Sequence, residues 1–252
     1  MFSKKLLPVV ALMLLVAGFV AAGASQPQGV KVPQGAVVDA TSANALPAGK
    51  PRVIPDAPGL PAATQNILFS EDFSSSKLDN FTNLSGYEGT WLAMYGRLIQ
   101  HGTANGDTTE DPAVLLARGV TLDNGSIEAQ LFPLALPVGL VFRGSDAGFY
   151  RLDLYPNVAN KGAKAVVRNV SHTGASKVVA SAPVATYAGF TQNQWQLVRA
   201  TLQGSKLEIA VNGKTIISAT DQAYASGWAG VWSSADMGAQ FDNIRIQQAA
   251  GR

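Results

Sequence analysis

Apolar and polar residues alternate with a period of two from Asn66 to Gln248, and glycine, proline and asparagine interrupt the pattern at short intervals. Such alternation is typical of half-buried β-strands, and no segment sustains the apolar period of an amphipathic helix. Short strands about 8–12 residues apart predict an all-β fold, an antiparallel two-sheet jelly-roll sandwich. The predicted strands are residues 67–73, 90–94, 97–101, 113–118, 126–132, 138–143, 148–155, 163–170, 177–182, 194–202, 206–211, 215–219, 227–232 and 239–246.

The strongest local turn signal is Asn212-Gly213, which separates two predicted strands. Both residue types tolerate the positive φ of a tight hairpin turn, so this pair predicts a two-residue β-hairpin. A domain over residues 66–248 is long enough to bury roughly 70% of its unfolded surface. The predicted core therefore requires neither a disulfide nor a metal.

The first 24 residues have the pattern of a secretory signal peptide. Lys4 and Lys5 precede an apolar run, and Ala22-Gly23-Ala24 offers small residues for cleavage before Ser25. The apolar run is shorter than the ~20 residues that span a bilayer, so we expect export without membrane insertion after cleavage. The predicted location is extracellular or periplasmic.

Residues 25–65 predict a disordered linker. Seven of the 13 prolines fall in this segment, alanine and small polar residues fill much of the rest, and it contains no aromatic residue. Such a composition does not bury enough apolar surface to offset the entropy of ordering the chain. Residues 249–252 are then a short tail after the domain.

Composition excludes several classes of function. The chain has no cysteine and two histidines, which excludes a disulfide framework, a thiol nucleophile and a cysteine-ligated metal. Of the 19 Lys and Arg residues, Lys4 and Lys5 lie in the predicted signal peptide, so 17 remain against 17 Asp and Glu. A neutral domain without a basic run argues against nucleic acid as a partner.

Several segments, in order along the domain, resemble the concanavalin A-like lectins and glucanases. The segment 68–73 (LFSEDF) resembles their first strand, and 125–130 (GSIEAQ) is similar to the strand before the catalytic strand of family 16 glycoside hydrolases. Trp195, Arg199 and Gly204, followed by 211–213 (VNG), look like a pair of laminin G-like strands. The segment 240–246 (QFDNIRI) resembles the last strand of the superfamily.

The resemblance implies a catalytic strand that carries E-x-D-x-x-E or E-x-D-x-E, and this chain departs from it. The corresponding strand is 149–156 (FYRLDLYP), which retains only the middle carboxylate, Asp153. Arg151 and either Tyr155 or Pro156 stand where the family has its nucleophile and its acid/base. Since arginine cannot act as a nucleophile, we expect the retaining mechanism to be absent.

The same strand has a polar face that suits ligand binding. Alternation predicts that Arg151, Asp153 and Tyr155 share the concave face, while the residues between them are core. Charged groups beside aromatic rings are what a glycan site needs, although a solvated sheet face also has this composition. The predicted ligand-binding residues are Glu128, Gln130, Arg143, Arg151, Asp153, Tyr155 and Trp232.

The resemblance also implies a structural calcium ion between the first and last strands. Asp242 stands at the position of the family's ligand in the closing strand, and Glu71, Asp72 and the Gly102 carbonyl are candidate partners. Oxygen ligands suit calcium. The alternative is that Asp242 only organises a turn.

Three hypotheses about function follow. The first is a secreted, non-catalytic, lectin-like domain that recognises a polysaccharide or surface glycan. The second is a glycoside hydrolase-type enzyme with a different set of catalytic residues. The third is a structural or adhesive surface protein whose partner is another protein.

Overall fold

The structure is a computed structural model, and it describes residues 65–103, 112–159, 161–184, 190–234 and 239–249. The predicted signal peptide lies outside these residues, and so does the predicted linker apart from Gln65. Of the predicted tail, only Ala249 is described. Over the described residues the chain forms strands and turns without a helix, and none of these residues belongs to a helix that could cross a membrane.

The described residues form fifteen strands. In chain order they are β1 (Gln65–Glu71), β2 (Phe81–Asn83), β3 (Gly89–Met94), β4 (Arg97–Thr103), β5 (Pro112–Ala117), β6 (Gly125–Phe132), β7 (Val138–Ser145), β8 (Gly148–Tyr155), β9 (Ala163–Ser171), β10 (Ser176–Val184), β11 (Gln196–Gln203), β12 (Lys206–Val211), β13 (Lys214–Thr220), β14 (Trp228–Ser234) and β15 (Gln240–Ala249).

Every predicted strand is present, β8 and β12 with the predicted bounds and the others with one or both ends shifted by up to three residues, and β2 was not predicted. β2 has three residues, so alternation has too little length in which to show.

The strands pair into two antiparallel sheets, which confirms the predicted architecture. The first sheet has the order β13-β12-β11-β6-β15-β4-β3, with β1 paired to β15, and the second has the order β10-β9-β8-β7-β14-β5-β2. Consecutive strands β6 and β7 lie in different sheets. The connection between them contains Pro133 and Pro137, and proline lacks the N–H that a continuous ladder requires.

The core lies between the sheets and follows from the alternation of each strand. From β8, Tyr150, Leu152 and Leu154 point into it and are fully buried. They pack in one cluster with residues of the other sheet, such as Ile127 and Val198. The residues between them in β8 consequently face outward from the sandwich, as the sequence predicted.

The tight turn at Asn212-Gly213 has the predicted form. Asn212 and Gly213 have φ of 50° and 78°, and they join β12 to β13. A two-residue turn with both central residues at positive φ has the twist that an antiparallel hairpin needs. Tyr95 and Gly96, with φ of 57° and 67°, join β3 to β4 in the same way.

The loop between β13 and β14 is held to the core by Tyr150. Its hydroxyl donates a hydrogen bond to Asp221 Oδ1 and accepts one from the Tyr224 amide at 3.3 Å. Burial, together with the bond to Asp221, raises the pKa of Tyr150 to about 12, so the hydroxyl keeps its proton. The Tyr224 hydroxyl in turn lies 3.0 Å from both Asn169 Oδ1 and the Val170 carbonyl oxygen, and its single proton is shared between these acceptors, which joins the loop to β9.

Replacing Tyr150 by phenylalanine removes this hydroxyl and leaves the ring. We expect Tyr150→Phe to lower the free energy of unfolding by about 1–2 kcal/mol, because Asp221 and the Tyr224 amide lose a buried partner. Urea denaturation measures the change. The matched control is Tyr95→Phe, since Tyr95 is 74% exposed. Equal stability of the two variants would contradict the anchoring role.

Candidate functional site

The outward residues of the second sheet form rows across neighbouring strands. One row contains Val166, Asp153, Gly139 and Trp232, from β9, β8, β7 and β14. The next contains Arg168, Arg151, Val141 and Gly230 from the same strands. Lys164 pairs with Tyr155 on the other side of the Asp153 row. Strand register therefore places the charged residues of β8 and β9 side by side at the middle of this face.

Asp153 is the centre of the charged group. Its side chain is 1% exposed, and it lies between Arg151 and Arg168. Arg151 donates from Nε to Oδ1 at 2.7 Å and from Nη2 to Oδ2 at 3.3 Å. Arg168 donates from Nε to Oδ2 at 2.6 Å. A buried carboxylate is costly unless it is paired, and here both of its oxygens accept bonds from guanidinium groups.

The two guanidinium groups keep most of their donors for other partners. Burial alone would lower the pKa of Arg168, but hydrogen bonds to Asp153 and Tyr155 raise it above its ordinary value. Arg168 thus stays charged. Their side chains are 25% and 18% exposed, so both reach solvent from their places over Asp153.

Trp232 lies beneath Arg151 and crosses the neighbouring strand. The Arg151 guanidinium carbon is 4.5 Å from the centre of the indole ring. Trp232 Nε1 donates to the Leu152 carbonyl at 2.7 Å. Gly139 lies between them, and a Cβ there would come within 1.9 Å of the Leu152 oxygen and 2.9 Å of Trp232 Nε1. With Arg151 above it, Trp232 is 2% exposed and offers no open stacking surface.

Aromatic side chains close the adjoining end of the face. Phe149 packs against Trp228, with ring centres 5.1 Å apart, and against Tyr87 at 5.7 Å. Trp228 lies over Gly144, where a Cβ would come within 2.2 Å of the indole ring. These rings belong to a second apolar cluster outside the main core, which also contains Val141 and Trp232. This end is packed with rings, whereas Arg168 and Tyr155 are partly exposed and Lys164 is exposed.

Glu128 and Gln130 do not share this face, contrary to expectation. They lie on β6 in the first sheet, on the opposite side of the sandwich. Glu128 there accepts hydrogen bonds from Arg199, with Nε at 2.7 Å, and Arg245 Nη1 is 3.9 Å away. The prediction failed because it placed consecutive strands side by side, whereas the chain crosses between the sheets after β6.

Arg143 is also absent from the face. It is 1% exposed and donates from Nε and Nη2 to the Asp123 carbonyl, at 2.8 and 2.5 Å. Its φ of 52° lies in a bulge where the register of β7 with β8 shifts, and the bulge interrupts the alternation on which the prediction depended. Burial lowers the pKa of Arg143. We assign it a structural role in holding the turn before β6.

Asp153 is the sole carboxylate in the described strands of the second sheet. Retaining and inverting glycosidases both use a pair of carboxyl groups that flank the bond to be broken. No such pair exists among these strands, and the one carboxylate present is bound by two arginines. The geometry suits binding of a ligand through N–H donors.

The residues predicted to bind calcium are only partly brought together. Asp242 is buried, and its pKa is raised to about 6 by burial and by the nearby charge of Asp72, against a lowering by Arg97 and by the Asn243 amide. Glu71 accepts hydrogen bonds from the Phe73 amide at 2.8 Å and from Asn80 Nδ2 at 3.3 Å.

The remaining calcium candidate is Gly102, in the backbone of β4. Gly102 pairs with Thr90 between β3 and β4. Among the described residues no three His, Cys, Asp or Glu side chains converge as a metal site. The charge of Asp72 is near enough to Asp242 to contribute to its raised pKa.

Arg168 and Lys164 are the residues of this face that sequence reasoning missed. Alternation within residues 163–170 already puts them on one side of their strand. What the sequence lacks is the register, Arg151 opposite Arg168 and Tyr155 opposite Lys164, which brings that side next to Asp153.

Comparison with known proteins identifies the fold. No family model matches the chain, and no curated protein matches its sequence. Solved structures do match. The carbohydrate-binding module CBM66 from Bacillus subtilis superposes with a TM-score of 0.51 at 16% identity, over 70% of this chain and 98% of the module.

Two further solved structures superpose on this chain with similar TM-scores. A laminarinase catalytic domain (an endo-1,3-β-glucanase) from Thermotoga petrophila gives a TM-score of 0.52 at 10% identity, over 74% of this chain and 99% of that one. A Bacillus subtilis protein of unknown function with a galectin-like fold gives 0.54 at 14% identity, over 74% and 97%. Identities this low establish the fold alone, and they confirm that the chain has the jelly-roll fold of the concanavalin A-like lectins and glucanases.

Proposed function

We propose that this protein is a secreted, non-catalytic carbohydrate-binding domain whose site is the outer face of the second sheet. The observation that carries the proposal is the Arg151–Asp153–Arg168 group, because it presents two fixed guanidinium groups beside Tyr155. Carbohydrate-binding modules and glycoside hydrolases with the same jelly-roll fold support a carbohydrate ligand at the level of the fold.

The chemistry of the face suits recognition of a sugar. Guanidinium N–H groups donate to hydroxyl, ring and carboxyl oxygens, and a phenol both donates and accepts. Asp153 holds Arg151 and Arg168 in place before a ligand arrives, which reduces the entropy lost on binding. Tyr155, half-buried at the edge of the group, adds an aromatic surface.

The non-catalytic assignment follows from the same group. A nucleophile needs a free carboxylate, and an acid catalyst needs a carboxyl group that holds its proton at working pH. Both oxygens of Asp153 accept hydrogen bonds from arginine side chains, so this carboxylate is not free for either role. Export from the cell is part of the proposal and is supported by the pattern of residues 1–24.

Removing the proposed donors should weaken binding to glycans. We expect the double variant Arg151→Gln with Tyr155→Ala to lose at least about tenfold in affinity for whichever glycan the wild-type chain binds on a glycan array. Loss of one charged hydrogen bond costs about 1.5 kcal/mol or more, which corresponds to this factor. Isothermal titration with that glycan gives the affinities.

The control is Tyr95→Ala, which removes an exposed tyrosine from the β3–β4 turn. A folded double variant that binds as tightly as Tyr95→Ala would contradict the assignment of the site. A blank array from folded wild-type protein would favour the structural or adhesive alternative. Release of reducing ends from a glucan, lost in Asp153→Asn, would favour the hydrolase alternative.

We further propose that Asp242 and Asp72 contribute to a calcium site. The support is that Asp242 is a buried carboxylate whose pKa is raised to about 6, first by burial and then by the nearby charge of Asp72. Calcium prefers oxygen ligands, and its charge would offset both the burial and the repulsion. Glu71 is a weaker candidate, since it already accepts bonds from Phe73 and Asn80.

At neutral pH, we expect Asp242→Asn to raise the free energy of unfolding in the presence of chelator and to lower it in the presence of calcium, each relative to wild type. A carboxyl group whose pKa is raised in the folded state stabilises the fold at low pH, and this contribution disappears as the pH rises from about 4 to about 6. In chelator, the variant should therefore be more stable than wild type by up to about 3 kcal/mol above pH ~6 and equal to it below pH ~4.

Millimolar calcium should reverse the difference at neutral pH, because the amide lacks the charge that attracts the ion. Thermal melting with and without chelator measures both effects. Equal shifts of the melting temperature by chelator in the two proteins would remove Asp242 from the site.

A further inference from the structure

The two sheets differ in the balance of charge along their strands. The strands of the first sheet carry acidic and basic residues in similar numbers, namely Glu71, Glu128, Glu208 and Asp242 with Arg97, Arg199, Lys206, Lys214 and Arg245. The strands of the second sheet carry Arg143, Arg151, Lys164, Arg168 and Lys177 against Asp153 alone. From Ser25 onward the chain is neutral, so this excess is local.

Part of the excess lies on the outward face. Arg143 is buried against Asp123 and does not contribute. Arg151, Arg168 and Lys164 do contribute, because alternation and register put all three on the side that carries Asp153. Lys164 is exposed and neighbours Tyr155 across the strands. The face therefore presents three cations around one almost completely buried carboxylate.

The Arg151–Asp153–Arg168 group contains two positive charges and one negative charge, so only half of its positive charge is neutralised. The Nε atoms of Arg151 and Arg168 lie 2.7 and 2.6 Å from the two oxygens of the same carboxylate, so one negative charge holds two guanidinium groups together. Each guanidinium has five N–H donors, of which Arg151 gives two to Asp153 and Arg168 gives one. Arg168 also forms a hydrogen bond to Tyr155, and the other N–H donors of the two groups suit a second anion, which would complete the neutralisation.

We infer that the ligand of this face is an anionic polysaccharide, whose carboxylate or sulfate group binds between Arg151 and Arg168 with Lys164 as a further contact. This inference rests on the proposed carbohydrate-binding function and specifies its substrate class. The pairing is of the kind for which arginine is suited, since a planar guanidinium matches the oxygens of carboxylate and sulfate in geometry and charge. A neutral sugar would leave the excess charge of the face unmatched.

Matched pairs of polysaccharides test the inference. The full-length chain is titrated with polygalacturonate and with its fully methyl-esterified form, and then with a sulfated galactan and its desulfated form. We expect binding to one charged member and at least about tenfold weaker binding to its neutral counterpart. Affinity should fall roughly tenfold as salt rises from about 0.05 M to about 0.5 M, because exposed charges are screened.

Substitutions of single arginines test whether the anionic group of the glycan binds at Arg168. Arg168→Gln should lose about tenfold in affinity for the charged glycan, while Arg168→Lys, which retains the charge, should lose less. Asp153 keeps Arg151 as a partner in both variants, and a thermal melt checks that each is folded. The matched control is Arg199→Gln, which removes the arginine paired with Glu128 on the opposite sheet. Its affinity should equal that of wild type.

The outcomes separate this inference from the proposed function. If the charged and neutral polysaccharides bind equally and the Arg151 and Tyr155 double variant weakens both, the ligand is not selected for its charge. That result would overturn the anionic ligand and leave the carbohydrate site in place. Binding to no glycan would overturn both. If Arg168→Gln and Arg199→Gln reduce binding of the charged glycan equally, the anion binds elsewhere and the inference is overturned. If inorganic polyphosphate binds as tightly as the charged glycan, binding is simple ion exchange, which would also overturn the inference.

Discussion

A carboxylate that is almost inaccessible to solvent lies in the middle of the second sheet, and the arrangement of that face depends on how its charge is compensated. Asp153 is fully buried, and a lone buried charge would cost several kcal/mol. Arg151, two residues away on the same strand, and Arg168, on the adjacent strand, supply the compensation. Two cations for one anion is more than neutrality needs, and that surplus gives the face its chemical character.

The compensation also requires a particular arrangement of small and large residues. Arg151 lies over Trp232, and Trp232 reaches the Leu152 carbonyl across β7 because Gly139 has no side chain to obstruct it. The tryptophan therefore supports an arginine from below and ties β14 to β8. A tryptophan on the outer face of a jelly-roll sheet suggests a sugar platform, but this ring is covered by Arg151 and supports that arginine.

Each sheet places an acid between two arginines, yet the two groups differ in their surroundings. Glu128 on the first sheet pairs closely with Arg199, while Arg245 is 3.9 Å away and its side chain is 43% exposed. The strands around it carry further acids. Around Asp153 the described strands of the second sheet carry no further acid, so the excess of basic over acidic residues is larger on this sheet than on the first. This contrast distinguishes a candidate binding face from an ordinary charged surface with a similar local pairing.

Strand positions were predictable because alternation is a local property that comes from burying one face of each strand. The division of β8 into core residues and outward residues was predictable for the same reason. Errors arose where the outcome depended on distant parts of the chain. Glu128 and Gln130 lie on the other sheet because the chain crosses over after β6, and Arg143 turns inward because a bulge interrupts the alternation of β7. Neither the crossover after β6 nor the bulge in β7 has a strong signature in the neighbouring amino-acid sequence.

By itself, the amino-acid sequence determined the all-β class, the strands, the hairpin at Asn212-Gly213 and the absence of the paired glutamates on β8, since each depends on residues close together in the chain. The tertiary structure decided which strands share a sheet and in what register. It thereby brought Arg168 and Lys164 to Asp153, covered Trp232 and buried Asp242 near Asp72. The physical reason is that side-chain direction follows from the geometry of one strand, whereas proximity between strands depends on the packing of the whole sandwich.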